Sequence, residues 1–336
     1  MPPETGWTSR PTTAVDAAEL NTLFNRVYGR ERSRAVPRHE RHWNWKYFAN
    51  PRGNHSLLAR DTGSGQVLAH AGGLPCSLSV EGETRLGVQT VDHMVDDARR
   101  RGLRRVGLFT RLMREWVDTY CGPDGNAVGW GFPSQANLRI GRRHLGYRLV
   151  RPLNALVCRR LDAWAGPHAG VGVRGVPRFD ADADALWSRC ARELGVVVER
   201  RAAALNWRYA EHPDVGYHLL EARDAADGAL RGLAVLRFGG LADDVASIMD
   251  WLVPGDDLDT TRALLEACAH RASRQGYGTL AAWFPENMGW FERFQELGFA
   301  VRFTPLVLVA RCFDRSLDIP DLRARCSMTL GDIDFL

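Results

Sequence analysis

Apolar and polar residues follow two periods along this chain, and the same succession of periods occurs twice. Leu20, Leu23, Phe24 and Val27 fall at the spacing of a helix face. Asp16 and Glu19 precede them in the pattern of a capping-box start. Runs with strand character follow at 56–60, 67–79 and 86–95, with Glu81-Gly82-Glu83 as a hairpin turn. Leu108, Leu112, Trp116 and Tyr120 return every fourth position and predict a helix. A strand at 127–132, a short helix at 136–144 and a strand at 149–160 complete the first set. The second half opens a helix near Asp182, with Leu186, Cys190 and Leu194 inward. It closes with a helix at 260–274, a strand at 279–284, a helix at 288–296 and a strand at 301–311.

The repetition extends to words. Asn44-Trp45-Lys46-Tyr47 recurs 162 positions on as Asn206-Trp207-Arg208-Tyr209, and Leu57-Leu58-Ala59-Arg60-Asp61 is echoed by Leu219-Leu220-Glu221-Ala222-Arg223-Asp224. Val91-Asp92-His93-Met94-Val95 matches Met249-Asp250-Trp251-Leu252-Val253 at a spacing of 158. Phe132-Pro133 matches Phe284-Pro285 and Leu145-Gly146-Tyr147 matches Leu297-Gly298-Phe299, both at 152. Collinear blocks across both halves point to a duplicated unit. The fall from 158 to 152 places a six-residue loss in copy two between the Asp-bearing strand and the Phe-Pro strand. The expected fold class is α/β (α+β mixed sheet), each copy a mostly antiparallel twisted sheet flanked by helices. The expected boundaries are 1–162, a Gly/Pro-rich linker at 163–177, 178–312, and a tail strand at 313–336.

Composition removes several classes. With 336 residues, 45% hydrophobic, 25% charged and 9% aromatic, the chain is a globular protein long enough for two cores. Its 44 basic residues, all arginine except Lys46, against 40 acidic ones give +4, too weak for a nucleic-acid footprint on its own. The arginine bias reads first as codon usage. No apolar run reaches the roughly 18 residues of a membrane span, and the first eleven residues lack a secretory pattern, so a cytoplasmic location is expected. Seven cysteines without a Cys-x-x-Cys pair read as reduced thiols, and no metal site is expected.

The segment Arg99-Arg100-Arg101-Gly102-Leu103-Arg104-Arg105-Val106-Gly107-Leu108-Phe109 joins a strand to the Leu108 helix. Unpaired N–H groups and the helix dipole at such a junction, flanked by arginines, make a polyanion cradle. The alternatives are a solvated basic turn and, last, a nucleic-acid patch, which interleaved aromatics do not support. The order of elements, Arg104 and Gly107 at the loop, and the Leu145-Gly146-Tyr147 and Leu297-Gly298-Phe299 words resemble the GNAT-type acyl-CoA acyltransferase superfamily in a tandem two-domain form. Phe109 stands where that family has a small residue. The resemblance implies acetyl-CoA or another acyl-CoA as donor, with the pyrophosphate on the loop amides of Arg104, Arg105, Val106, Gly107, Leu108 and Phe109. It also implies pantetheine pairing along the strand at Met94 and Val95. Copy two has Asp256, Asp257 and Asp259 at the equivalent place, which repel phosphate, so one cofactor site is expected.

Acyl transfer to an amine needs a base. Asp92 and His93 occupy the strand beside the expected thioester, on opposite faces. Asp92 is matched by Asp250 in the copy without the loop, which favours a shared structural role. His93 is replaced there by Trp251, and an imidazole with a pKa near 6.5 suits a general base; the alternative is a satisfied histidine on a half-buried strand. The tyrosine acid typical of the family is absent, its place being taken by Arg142. In the tail, Asp332 and Asp334 are candidates for holding a substrate ammonium, against a solvated tail. The expected function is transfer of an acyl group, acetyl first, from acyl-CoA to a primary amine of a small molecule in a ternary complex. The alternatives are an aminoacyl-tRNA-dependent transferase of the same fold, with tRNA as the one nucleic-acid partner, and a noncatalytic acyl-CoA or peptide-binding module.

Overall fold

The computed structural model describes residues 6–29, 37–99, 107–166, 168 and 170–334. In chain order the strands are β1 (Trp7–Pro11), β2 (His55–Asp61), β3 (Val67–Val80), β4 (Glu83–Val95), β5 (Asn126–Gly131), β6 (Arg148–Cys158) and β7 (Val171–Val176). There follow β8 (Val196–Val198), β9 (His218–Asp224), β10 (Leu230–Phe238), β11 (Ala246–Leu252), β12 (Leu280–Ala282), β13 (Ala300–Cys312) and β14 (Cys326–Ser327). The helices are α1 (Ala17–Tyr28), α2 (Glu40–Trp43), α3 (Leu108–Tyr120), α4 (Gln135–His144), α5 (Asp182–Cys190), α6 (Ala202–Leu205), α7 (Leu258–Arg274), α8 (Gly289–Glu296) and α9 (Ile319–Arg325). Two compact units emerge: unit 1 holds Met1–Ser77, Arg85–Val150 and Leu308–Ile319, and unit 2 holds Leu78–Thr84, Arg151–Val307 and Pro320–Leu336.

The mixed α/β class read from the periodicities is the class observed. In α1 the buried positions are Ala17, Leu20, Leu23, Phe24 and Val27, the predicted stripe. Its capping box lies three residues earlier than the spacing implied: Thr13 and Asp16 cap one another around a 3₁₀ turn, and Glu19 faces Arg60 at 2.8 Å. The Glu81-Gly82 turn has φ of 53° and 86°, the left-handed pair that lets two strands reverse with their natural twist. In the Gly/Pro-rich 163–177 segment, β7 forms a strand. Its alternation puts Val171 and Val173 against the core of unit 2 and pairs it with β9, Val171↔Asp224 to Val176↔Leu219. The tail holds α9, β14 and a 3₁₀ turn at Leu330–Asp332 in place of the expected alternating strand, because Thr329 and Asp332 satisfy each other as a capping box.

In unit 1, β1, β2 and β3 run antiparallel, while β4 and β5 are parallel. The far neighbour of β5 is the end of β13, Val309↔Gly131 to Cys312↔Val128. In unit 2, β9, β10 and β11 are antiparallel, β11 and β12 parallel, and the neighbour of β12 is β6, Leu280↔Cys158 to Ala282↔Leu156. The last strand of each repeat is therefore built into the sheet of the other unit. Unit 1 packs α1 with Trp43, Tyr47, Leu58 and Met94; unit 2 packs α7 and α8 with Trp164, Leu220, Ala234 and Trp251.

Candidate active site

The parallel pairing of β4 with β5 runs from Leu86↔Asn126 to Gln89↔Trp130 and then stops, although β4 continues to Val95. One edge of residues 90–95 thus has no β5 partner, and the Thr90 hydroxyl closes the fork by donating to the Trp130 carbonyl at 3.0 Å. Within this stretch Asp92 takes φ = 50°. A non-glycine residue in that region costs roughly 1–3 kcal/mol and persists only where its surroundings hold it. The hold is visible. Arg38 and Lys46 each reach the carboxylate at 2.9 Å, the Tyr47 hydroxyl donates to it at 2.8 Å, and His70 Nδ1 donates to the Asp92 carbonyl at 2.8 Å. Lys46 and Tyr47 are aimed there by a π-helical turn, Asn44–Phe48. Gly72 lets the groups converge, since a side chain there would collide with the Tyr47 hydroxyl and the Val91 carbonyl. Burial by itself would raise the pKa of Asp92, but Arg38 and Lys46 hold it well below the usual carboxylate range. Both carboxylate oxygens are engaged, so Asp92 positions the strand.

His93 follows the bulge. Its ring lies 5.5 Å from that of Phe109 at the start of α3, and its carbonyl accepts from the Tyr28 hydroxyl at 2.8 Å. The residue keeps part of its surface accessible while Nε2 is enclosed and has no hydrogen-bond partner. Desolvation, reinforced by His70, lowers its pKa to about 4 against the pull of Asp92 and a hydrogen bond to the Gly72 backbone, so the imidazole is neutral at pH 7. His70, fully buried, is likewise lowered to about 4 by desolvation. Tyr147, from the Leu-Gly-Tyr word, is buried against Gly129 of β5 with its hydroxyl facing Thr90. Burial raises its pKa, which keeps the proton on.

The N-terminus of α3 opens off the same stretch. Gly107 is its N-cap in extended conformation, among the described residues no side chain caps the first turn, and a Cβ on Gly107 would meet nothing described within 4 Å. The first-turn N–H groups and the helix dipole therefore stand available to an anion. Arg104, Arg105 and Val106 lie outside the described residues. Leu108 and Phe109 are the first two residues of α3, and Met94 and Val95 are near the end of β4, Val95 its last residue.

No protein-family model matches the sequence, and no curated protein matches it. Solved structures do. A GCN5-related N-acetyltransferase from Anabaena variabilis aligns over 91% of this chain and 73% of its own, at 11% identity and a TM-score of 0.67. A protein from Enterococcus faecalis described as a probable N-acyltransferase aligns over 92% and 73%, at 12% identity and 0.65. Saccharomyces cerevisiae N-myristoyltransferase with bound myristoyl-CoA aligns over 100% and 85%, at 12% identity and 0.57. The chain has the GNAT acyltransferase fold. In a tandem GNAT fold the two copies allow a position-by-position reading of the site. In unit 2, Asp250 is met by Arg200 at 3.2 Å and Tyr209 at 2.8 Å, the residues 162 positions beyond Arg38 and Tyr47. The clamp is therefore duplicated, but Asp250 stays out of the left-handed region, and Ala234 stands at the register of His70.

β11 and β12 of this second GNAT unit also part early, after Ser247↔Ala281, so what differs is the lining. Asp257 caps α7, accepting from Thr260 N at 3.0 Å, and binds Arg231 at 2.8 Å: a carboxylate fills the place an anion would take. The tail acids are taken up there too. Asp332 is buried on Arg200 at 2.6 Å, and Asp334 lies near Arg208, whose guanidinium donates to the Ile333 carbonyl at 2.8 Å. Sequence reasoning singled out Asp92 and His93 but not Arg38, Lys46, His70 and Tyr47, which the fold brings beside them. The signal was present: Arg38 and Tyr47 recur with the repeat, while His70 and His93 do not.

Proposed function

We propose that unit 1 binds an acyl-CoA and transfers its acyl group to a primary amine, with unit 2 carrying no second donor site. The observation that carries this reading is the early parting of β4 from β5 beside an α3 N-terminus that no side chain caps among the described residues, where unit 2 puts the Asp257 carboxylate. Acyl-CoA supplies the activated carbonyl. The pantetheine runs along the end of β4 at Met94 and Val95, beyond the pairing of β4 with β5, and the N–H groups of Leu108 and Phe109 face the pyrophosphate, with Arg104 and Arg105 as counter-charges. As the amine nitrogen bonds to the carbonyl carbon, its proton passes to the imidazole of His93, which is neutral at pH 7 and keeps part of its surface accessible. The C–S bond then breaks, and the thiolate leaves with the proton that His93 took from the amine. Likeness in fold to both N-acetyl- and N-myristoyltransferases supports an acyl-CoA donor without fixing chain length. The acceptor is proposed as a small-molecule amine in a cytoplasmic setting. Among the described residues no helix is long and apolar enough to cross a membrane.

Calorimetry of the full chain with coenzyme A tests the proposal: one site per chain is expected, and two sites or none would sink it. Thiol release from acetyl-CoA and longer acyl-CoAs with an amine panel then reads the donor length and the acceptor class.

A further inference from the structure

Unit 2 contains a cavity that the transfer reaction does not use, about 420 Å³ in volume, inside the range of small-molecule sites. Its apolar wall is Leu194, Met288 and Trp290, the last ring braced edge-on against Trp251 at 5.9 Å. Two guanidiniums line it, Arg293 from α8 and Arg325 from the end of α9. Arg293 gives one N–H to Glu296 at 2.9 Å, and Arg325 pairs with Glu81 and with Asp321 at 3.3 Å. A guanidinium has five N–H donors, so both retain some for a ligand. The first turn of α8 adds to this side. Its N-cap, Met288, has no side-chain acceptor, whereas Ser134 caps the matching α4, and Gly289 and Trp290 of that turn line the cavity.

The opposite charge comes from a different element. Glu193, in the turn after α5, lines the cavity beside Gly255, and among the described residues its carboxylate makes no hydrogen bond or ion pair. Two cations with free helix N–H groups, one unpaired carboxylate and an apolar wall complement a zwitterion with a hydrophobic body. A phosphate dianion fits less well, since Glu193 repels it. The geometry points to this cavity as a binding site for a free α-amino acid with a large apolar side chain. Its carboxylate sits on Arg293, Arg325 and the α8 N-terminus, its ammonium on Glu193, and its side chain on Met288 and Trp290. This assignment stands on unit 2 alone and does not depend on the acyl-CoA reading.

Calorimetry of the full chain with L-phenylalanine, its methyl ester and N-acetyl-L-phenylalanine reads it directly. L-Phenylalanine is expected to bind saturably, the ester and the N-acetyl derivative each at least about tenfold more weakly. Arg293→Gln should weaken L-phenylalanine about tenfold, and Glu193→Gln should weaken L-phenylalanine while leaving the N-acetyl derivative unaffected. The assignment is overturned by absence of saturable binding up to roughly 10 mM, a range that still reports millimolar affinity, or by either derivative binding as tightly as the free amino acid. The ligand series needs no variant, so a misfolded substitution does not shield the proposal.

Discussion

Units 1 and 2 repeat one buried device and part ways at one helix end. Both clamp an aspartate at the end of a parallel strand between an arginine and a tyrosine from the same pair of sequence positions. Unit 1 then leaves the N-terminus of α3 without a side-chain cap, while unit 2 closes α7 with Asp257. Unit 1 places two histidines, His70 and His93, around its strand, where unit 2 has Ala234 and Trp251. The clamp is thus a property of the fold, since it is kept where the helix end is closed by Asp257. The uncapped helix and the imidazoles occur together in unit 1, as a shared role in one reaction would require.

The largest expected effect tests the clamp. Asp92→Ala leaves Arg38 and Lys46 buried without their counter-ion and should cost about 3–5 kcal/mol of stability in urea unfolding. Asp250→Ala should cost less, because Arg200 keeps Asp332; an equal or reversed order would break the comparison. Next comes pH. His70 binds its proton near pH 4 when folded and near 6.5 when unfolded, so the unfolded chain holds more protons between those values. Stability should be undiminished above pH 6.5 and fall as pH drops toward 4, by about 2–4 kcal/mol from this residue. Thermal unfolding from pH 7 to 4 would measure it, and His70→Gln should flatten the dependence.

His93→Gln should lower turnover roughly a hundredfold, about 2.7 kcal/mol of barrier, with the fold intact. The wild-type rate should stay level from pH 7 to about 5 and fall as the imidazole gains its proton near pH 4. An unchanged rate in the variant would remove His93 from the mechanism. The smallest effect is at the helix end. Asp257→Ala should cost about 1 kcal/mol through the lost cap, and calorimetry should still find a single coenzyme A per chain.

Much of this was legible before any coordinates. The four-residue return of Leu108, Leu112, Trp116 and Tyr120 gave α3 its observed limits, because which face of a helix is buried is written locally. The repeat words set Asp92 against Asp250 and His93 against Trp251. The clamp partners were harder to see, since Arg38 and Lys46 lie 54 and 46 positions before Asp92 and their type alone reads as solvated surface. The tail acids read as free for a substrate, yet Asp332 is buried on Arg200, an ion pair spanning 132 positions.

The sequence by itself determined the duplication, the main helices and strands of each copy and the acidic character of the α7 entry, all consequences of short-range pattern. The tertiary structure alone decided that β13 completes the sheet beside β5 and β6 the sheet beside β12, because two apolar strands of equal pattern satisfy a sheet edge equally well until the whole chain is placed. It also decided that Asp92 lies in the left-handed region, where only buried charges distant in sequence compensate the strain.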